Sequence, residues 1–171
     1  MTKSLVGPIP EFYQRYIDAV PYDTLIPALI NGGDTTVDFF KSIPETSAQY
    51  RYADGKWTVN EVINHMMDAE RVFCYRALTF ARNDSTELPG FDENSWATET
   101  NSSHRQLYRI INEYVNLRAS TVDLFSSFSD EMLSRKGMAS GVEMNVTTLG
   151  FLIAGHENHH CRILANRYFS N

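Results

Sequence analysis

A chain of 171 residues with 43% hydrophobic content is long enough to enclose a substantial core within one globular domain. Its formal net charge of −6, with no block of Lys or Arg, excludes an electrostatic nucleic-acid binder, because phosphate neutralisation supplies most non-specific affinity. Two cysteines, Cys74 and Cys161, lack CxxC spacing and read as packing residues rather than a disulfide framework. The opening Met1-Thr2-Lys3-Ser4-Leu5-Val6-Gly7-Pro8 has no signal-peptide core, and no apolar run approaches membrane-spanning length. A cytoplasmic protein with neither membrane nor nucleic-acid partners is expected.

In chain order, residues 1–22 carry Pro8, Pro10 and Pro21 around a short helical stretch, Glu11 to Val20, which reads as an arm packed outside the domain. Asp23 is a plausible N-cap for a first long helix over 23–43. Leu25, Ile26, Leu29, Ile30, Val37, Phe40 and Ile43 form its apolar face, Gly32-Gly33 offers a possible break, and Pro44 ends it. A second helix over 58–82 opens on Thr58 and Glu61, the spacing of a capping box. Val59, Val62, Met66, Ala69, Phe73, Ala77 and Phe80 then recur three and four apart as a buried stripe, with His65 on its edge.

Residues 83–101 form a long connection, of the kind that carries function or a topological task. Phe91 and Trp96 are expected to pin it, and a lid role is one hypothesis. A third helix is predicted over 103–128, and 129–145 reads as irregular apart from a short helical candidate at Asp130 to Leu133. A fourth helix over 146–168 holds three of the five histidines within five residues. Four amphipathic helices and no strand alternation predict an all-α four-helix bundle with a short N-terminal arm.

The last helix carries the chemistry. Leu149, Leu152, Ile153, His156, His160, Ile163 and Leu164 share one face, and imidazoles at i and i+4 can present nitrogens to one divalent ion. Gly155 weakens the helix and is expected to admit another helix closely. His65 can join the pair if the second and fourth helices run parallel, so that the three rings reach one level. Hydrogen-bonded or surface histidines remain the bland alternative. His159 competes with His160 for the ligand position. Glu157 reads as a solvated or ion-paired surface carboxylate, Asp68 as a surface acid or an orienting partner for His65, His104 as exposed, and Trp57 as a staple.

Gly55-Lys56-Trp57-Thr58-Val59-Asn60-Glu61-Val62-Ile63-Asn64-His65, with Asp68-Ala69-Glu70-Arg71-Val72-Phe73 after it, resembles the second-helix signature of the DinB-like superfamily. Leu88-Pro89-Gly90-Phe91-Asp92-Glu93-Asn94 and Ile153-Ala154-Gly155-His156-Glu157-Asn158-His159-His160 resemble that family's loop and last helix, in the same order. The resemblance implies a four-helix bundle with a divalent metal on three histidines, which fall here on His65, His156 and His160. It implies metal-dependent hydrolysis, or transfer of a low-molecular-weight thiol such as bacillithiol or mycothiol, on a small-molecule substrate, and a possible homodimer. Imidazole ligation suits Zn or Ni, and also Fe and Cu. Three protein ligands with open positions is the catalytic rather than the structural zinc pattern. A non-catalytic metal- or ligand-binding bundle with a stress-response or assembly role is the alternative. No other catalytic residue is identifiable from the sequence.

Overall fold

The computed structural model describes residues 1–170. Its long helices follow the apolar stripes. Helix α1 spans Glu11–Asp18, α2 Leu25–Ser42, α3 Val59–Ala81, α5 Leu107–Ser126 and α7 Val146–Ile163, with short helices α4 (Glu93–Thr98) and α6 (Asp130–Ser134) in the connections. Helix α2 runs unbroken through Gly32-Gly33 and stops at Ser42, because Ile43 precedes a proline and takes the extended conformation that position favours. Helix α3 opens on a complete capping box: the Thr58 hydroxyl accepts from the Glu61 N–H, and the Glu61 carboxylate accepts from the Thr58 N–H.

The four long helices α2, α3, α5 and α7 form a ring. Both α2 and α3 pack against α5 and against α7, so the consecutive pair α2 and α3 lies across the diagonal. Helix α7 is the axis of the molecule, because α1 covers the side that the ring leaves open. Its residues from Val146 to Gly155 are all buried. Two apolar clusters fill the ring. One is built around Leu25, Leu29, Phe80, Phe125, Phe151 and Leu152; the other is built around Phe40, Ile63, Met67, Ile110, Tyr114 and Leu164.

Three expectations need correction. First, α3 and α7 are antiparallel, not parallel. Tyr168, past the end of α7, donates its hydroxyl to the Trp57 carbonyl just before α3 (2.7 Å). At the opposite end, Arg135 donates to the Ala81 carbonyl at the close of α3 (2.6 Å), and its own carbonyl accepts from Val146, the first residue of α7. His65 thus lies ~9 Å inside the start of α3, while His160 and His156 lie ~5–10 Å before the end of α7, and antiparallel packing brings them level.

Second, 136–145 is ordered as an antiparallel hairpin, β1 (Lys136–Ala139) with β2 (Val142–Asn145), in register Lys136 to Asn145. Strands of four residues are too short for alternation to register above noise. The hairpin lies on α3, where a Cβ on Gly137 would overlap the Phe80 ring. Third, the N-terminal segment is not an external arm. Ile17 and Val20 are buried in the main core, and α1 meets α7 backbone to backbone at Gly155, where a Cβ would overlap the Tyr16 carbonyl.

Gly155→Ala is therefore expected to push α1 away from α7. It should cost about 1–3 kcal/mol, the range for overpacking a tight contact, despite the better helix propensity of alanine. Urea denaturation of the two proteins checks this; an unchanged or raised midpoint would show that α1 is loosely held.

Candidate metal centre

Three imidazoles meet where the start of α3 crosses the end of α7. The Nε2 atom of His156 is 3.1 Å from Nε2 of His65 and 3.0 Å from Nε2 of His160, and the three candidate donor atoms lie within 4.8 Å of one another. His159, one residue from His160, is outside this cluster and sets its ring edge-on against Tyr16. Trp57 packs on His65 (centroids 4.8 Å apart), and Phe73 and Tyr16 meet the edges and faces of His156. His104 is exposed.

The hydrogen-bonding capacity of three neutral imidazoles does not satisfy this arrangement. Each neutral ring has one N–H, and a proton on His156 Nε2 can serve only one of its two ε-nitrogen neighbours. Lone pairs aimed at one point repel, and a cation at that point removes the conflict. Ligands held ~2.0–2.1 Å from a tetrahedral ion stand about 3.4 Å apart, close to the separations here. The donor set therefore fits a divalent ion such as Zn or Ni. The outer surroundings are sparse: His160 Nδ1 is buried without a partner.

Desolvation keeps the nitrogens ready to donate. Burial, reinforced by neighbouring imidazoles, lowers the His65 pKa to about 4 and that of His156 to about 3, and pushes His160 well below its ordinary value. On His65 the Glu93 carboxylate acts in the opposite sense. The rings are neutral at physiological pH, so protons do not compete with a metal there.

Behind the histidines lies a buried charge cluster. Arg118 of α5 forms a forked pair with Glu70 of α3 (3.0 and 2.9 Å) and donates to the Leu29 carbonyl of α2 (3.1 Å). The same guanidinium pairs with Glu157 of α7 at 2.5 Å, and the Tyr114 hydroxyl donates to that carboxylate. Glu157 is thus ion-paired but fully internal, not a surface acid. It points away from the histidine face into the ring, where Gly32 of α2 and Arg118 and Tyr114 of α5 enclose it. Desolvation raises its pKa, against the pull of Arg118. The hint in the sequence was polar residues on apolar stripes: Glu70 one turn beyond Met66, and Arg118 one turn beyond Tyr114. Asp68 makes its contact with Arg71 (3.1 Å), and no hydrogen bond joins it to His65 among the described residues. Both thiols are half-buried packing groups, with burial raising Cys74 to about 11 and Cys161 to about 12.

The three rings open onto a pocket of roughly 250 Å³. Aromatic residues wall it: Phe12, Tyr13 and Tyr16 from α1, Trp57 and Phe73 from the α3 region, and Phe91 from the long connection. Phe91 stacks on Trp96 (4.7 Å) and so ties the connection down over the site. The wall from α1 was not legible as such, because its aromatics cluster in sequence without facing any predicted site.

Metal-free protein should lose stability as the pH falls from about 7 to about 5. Over that window the unfolded chain protonates these imidazoles while the folded state keeps them neutral, so the unfolded state binds more protons and stability rises with pH. Each histidine contributes a slope of up to ~1.4 kcal/mol per pH unit. Denaturant titrations of EDTA-treated wild type and His156→Gln measure it. The variant should show the shallower profile; identical profiles would place the imidazole in solvent.

Residues 28–164 match the model of the DinB superfamily. A protein of Oceanobacillus iheyensis, whose name provisionally assigns it to the metal-dependent hydrolases, is 24% identical over 122 residues, covering 70% of this chain and 69% of its own. Among solved structures, YfiT from Bacillus subtilis, described provisionally as a metal-dependent hydrolase with an unusual four-helix bundle topology, aligns with a TM-score of 0.67. That alignment spans 96% of this chain and 93% of YfiT at 17% identity, which establishes the likeness of fold. The family match spans most of the sequence and includes both helices that carry the clustered histidines; this chain belongs to the DinB superfamily.

Proposed function

We propose that His65, His156 and His160 hold one divalent metal ion, Zn or Ni, and that the protein is a metal-dependent hydrolase acting on a small molecule in the aromatic pocket. The observation that carries this reading is the convergence of three ε-nitrogens at the floor of a pocket, with no fourth protein ligand among the described residues closing the set. A divalent ion held by these three residues would lower the pKa of a bound water, or of a bound thiol, towards neutrality. Hydrolysis and low-molecular-weight thiol transfer therefore draw on the same centre, and the choice between them lies with the second substrate.

The chain's own groups support either chemistry in definite ways. Neutral imidazoles leave the positive charge of the ion uncompensated, which favours an anionic nucleophile and an anionic transition state. Phe12, Tyr13, Tyr16, Phe73 and Phe91 exclude bulk water and offer flat faces to an apolar substrate. The hydroxyls of Tyr13 and Tyr16 and the ring of His159 sit in the same wall, within the set of groups able to pass a proton. No helix among the described residues is long and apolar enough to cross a membrane.

Elemental analysis of untagged protein should find close to one metal per chain in wild type and a loss of at least about tenfold in His160→Ala, since removing one of three ligands opens the site. Ester hydrolysis and thiol transfer to an electrophile, assayed on the loaded wild type, should both vanish in the variant if either is present. Full metal content in His160→Ala would overturn the ligand assignment.

A further inference from the structure

Two arginines are buried among the described residues, and they are treated differently. Arg118 is neutralised by Glu70 and Glu157. Arg76 of α3 is only 3% exposed, yet no carboxylate lies within 4.0 Å of it among the described residues. A guanidinium held this far from bulk water normally has a counter-charge. Among the described residues Arg76 has only neutral partners, two hydrogen-bond acceptors and the face of Phe73 (5.9 Å), and its remaining N–H groups keep access to the pocket. Arg76 lines the same aromatic pocket as the three imidazoles.

Its placement is held from two sides. Arg76 Nη2 donates to the Pro89 carbonyl (2.9 Å) in the long connection and to Ser140 Oγ (2.8 Å) in the turn of the β1–β2 hairpin. That turn puts Ser140 at φ 53° and Gly141 at φ 72°, and the left-handed conformation of a serine is unfavourable unless something holds it. The hairpin and the connection thus fix one nitrogen of the guanidinium. Nε–H and both Nη1–H bonds make no hydrogen bond to the protein among the described residues. The acidic group in the pocket wall, Glu93, is exposed and close enough to act on His65 and Tyr16. Tyr13 is the titratable group that acts on Arg76.

From these contacts we infer that Arg76 is an oxyanion anchor at the far end of the pocket, and that the natural substrate carries a carboxylate there. Arg76 lies eleven positions beyond His65 on α3, and arginine side chains on helices lean towards the N-terminus. The anchored carboxylate therefore stands roughly 10 Å from the imidazoles, at the other end of an apolar body that fills the aromatic channel. A single guanidinium matches one negative charge, which favours a carboxylate over a phosphate dianion. The inference rests on the reading of this pocket as the substrate site and gives it a substrate class: amphiphilic monocarboxylates with the reactive group distal to the acid.

The test uses metal-free full-length protein, so that a carboxylate has no ion to bind. Calorimetric titration compares 4-phenylbutyrate, 4-phenylbutan-1-ol and 2-phenylethyl phosphate on wild type, Arg76→Gln and Arg76→Lys. Wild type should favour the carboxylate over the alcohol by about tenfold to a hundredfold, the range set by charge-assisted hydrogen bonds. Arg76→Gln should erase the preference and Arg76→Lys should retain part of it. Should Arg76→Gln not fold, side-chain NMR of wild type decides. The Nε–H resonance absent from Arg76→Lys should move with phenylbutyrate and stay still with the alcohol. Equal binding of acid and alcohol to wild type, or a preference that survives in Arg76→Gln, would overturn the anchor; tighter binding of the phosphate would overturn the carboxylate assignment. Because metal content is measured separately, loss of the anchor leaves the three-histidine centre standing, and the reverse also holds.

Discussion

One guanidinium ties the four long helices together. Arg118 reaches from α5 to Glu70 on α3, to Glu157 on α7 and to the Leu29 carbonyl on α2, and Tyr114 and Thr121 fill the remaining acceptor positions. Burying such a cluster brings little net stability over a well-packed apolar core, but removing one member leaves an uncompensated internal charge at about 3–5 kcal/mol. Its consequence is register. Glu70 lies five residues beyond His65, and Glu157 is the neighbour of His156, so the carboxylates and the imidazoles are set by the same two helices. A slip of one helical turn, ~5.4 Å, would separate the carboxylates from Arg118 and take His65 out of reach of the other two rings.

The site inherits two opposed environments from this arrangement. On the Arg118 side the interior is polar and filled. On the histidine side it is polar and unfilled, with three ε-nitrogens facing one another and neutral by desolvation. A metal ion held there would resolve the second as Arg118 resolves the first. The pocket above it has one wall from α1. Gly155 lets α1 seat deeply on α7, and the aromatic side chains of α1 then stand as a wall rather than a plug.

Much of the architecture was readable from the chain because it rests on local periodicity. The long helices, the Thr58–Glu61 capping box, the close approach at Gly155 and the helical turn at 130–134 all follow from spacing within a few residues. What depended on long-range geometry was not. The sense of α3 against α7 is invisible to either stripe, so the parallel arrangement was an equal guess. Glu157 looked like a surface residue because it lies off the histidine face, yet that side of α7 faces Gly32 of α2 and Arg118 and Tyr114 of α5. The hairpin at 136–145 is too short to alternate convincingly, and Arg76 carries no local mark of its role. Its burial comes from Pro89 and Ser140, thirteen and sixty-four residues further on.

The central claim is that the three histidines share one ion. Anomalous diffraction from crystals of reconstituted protein, recorded on both sides of the metal absorption edge, tests it most directly. One peak per chain is predicted, lying ~2.0–2.2 Å from Nε2 of His65, His156 and His160 together. A peak at any other residues, or none after reconstitution at full occupancy of the crystal soak, would contradict the account and leave the cluster to hydrogen bonding.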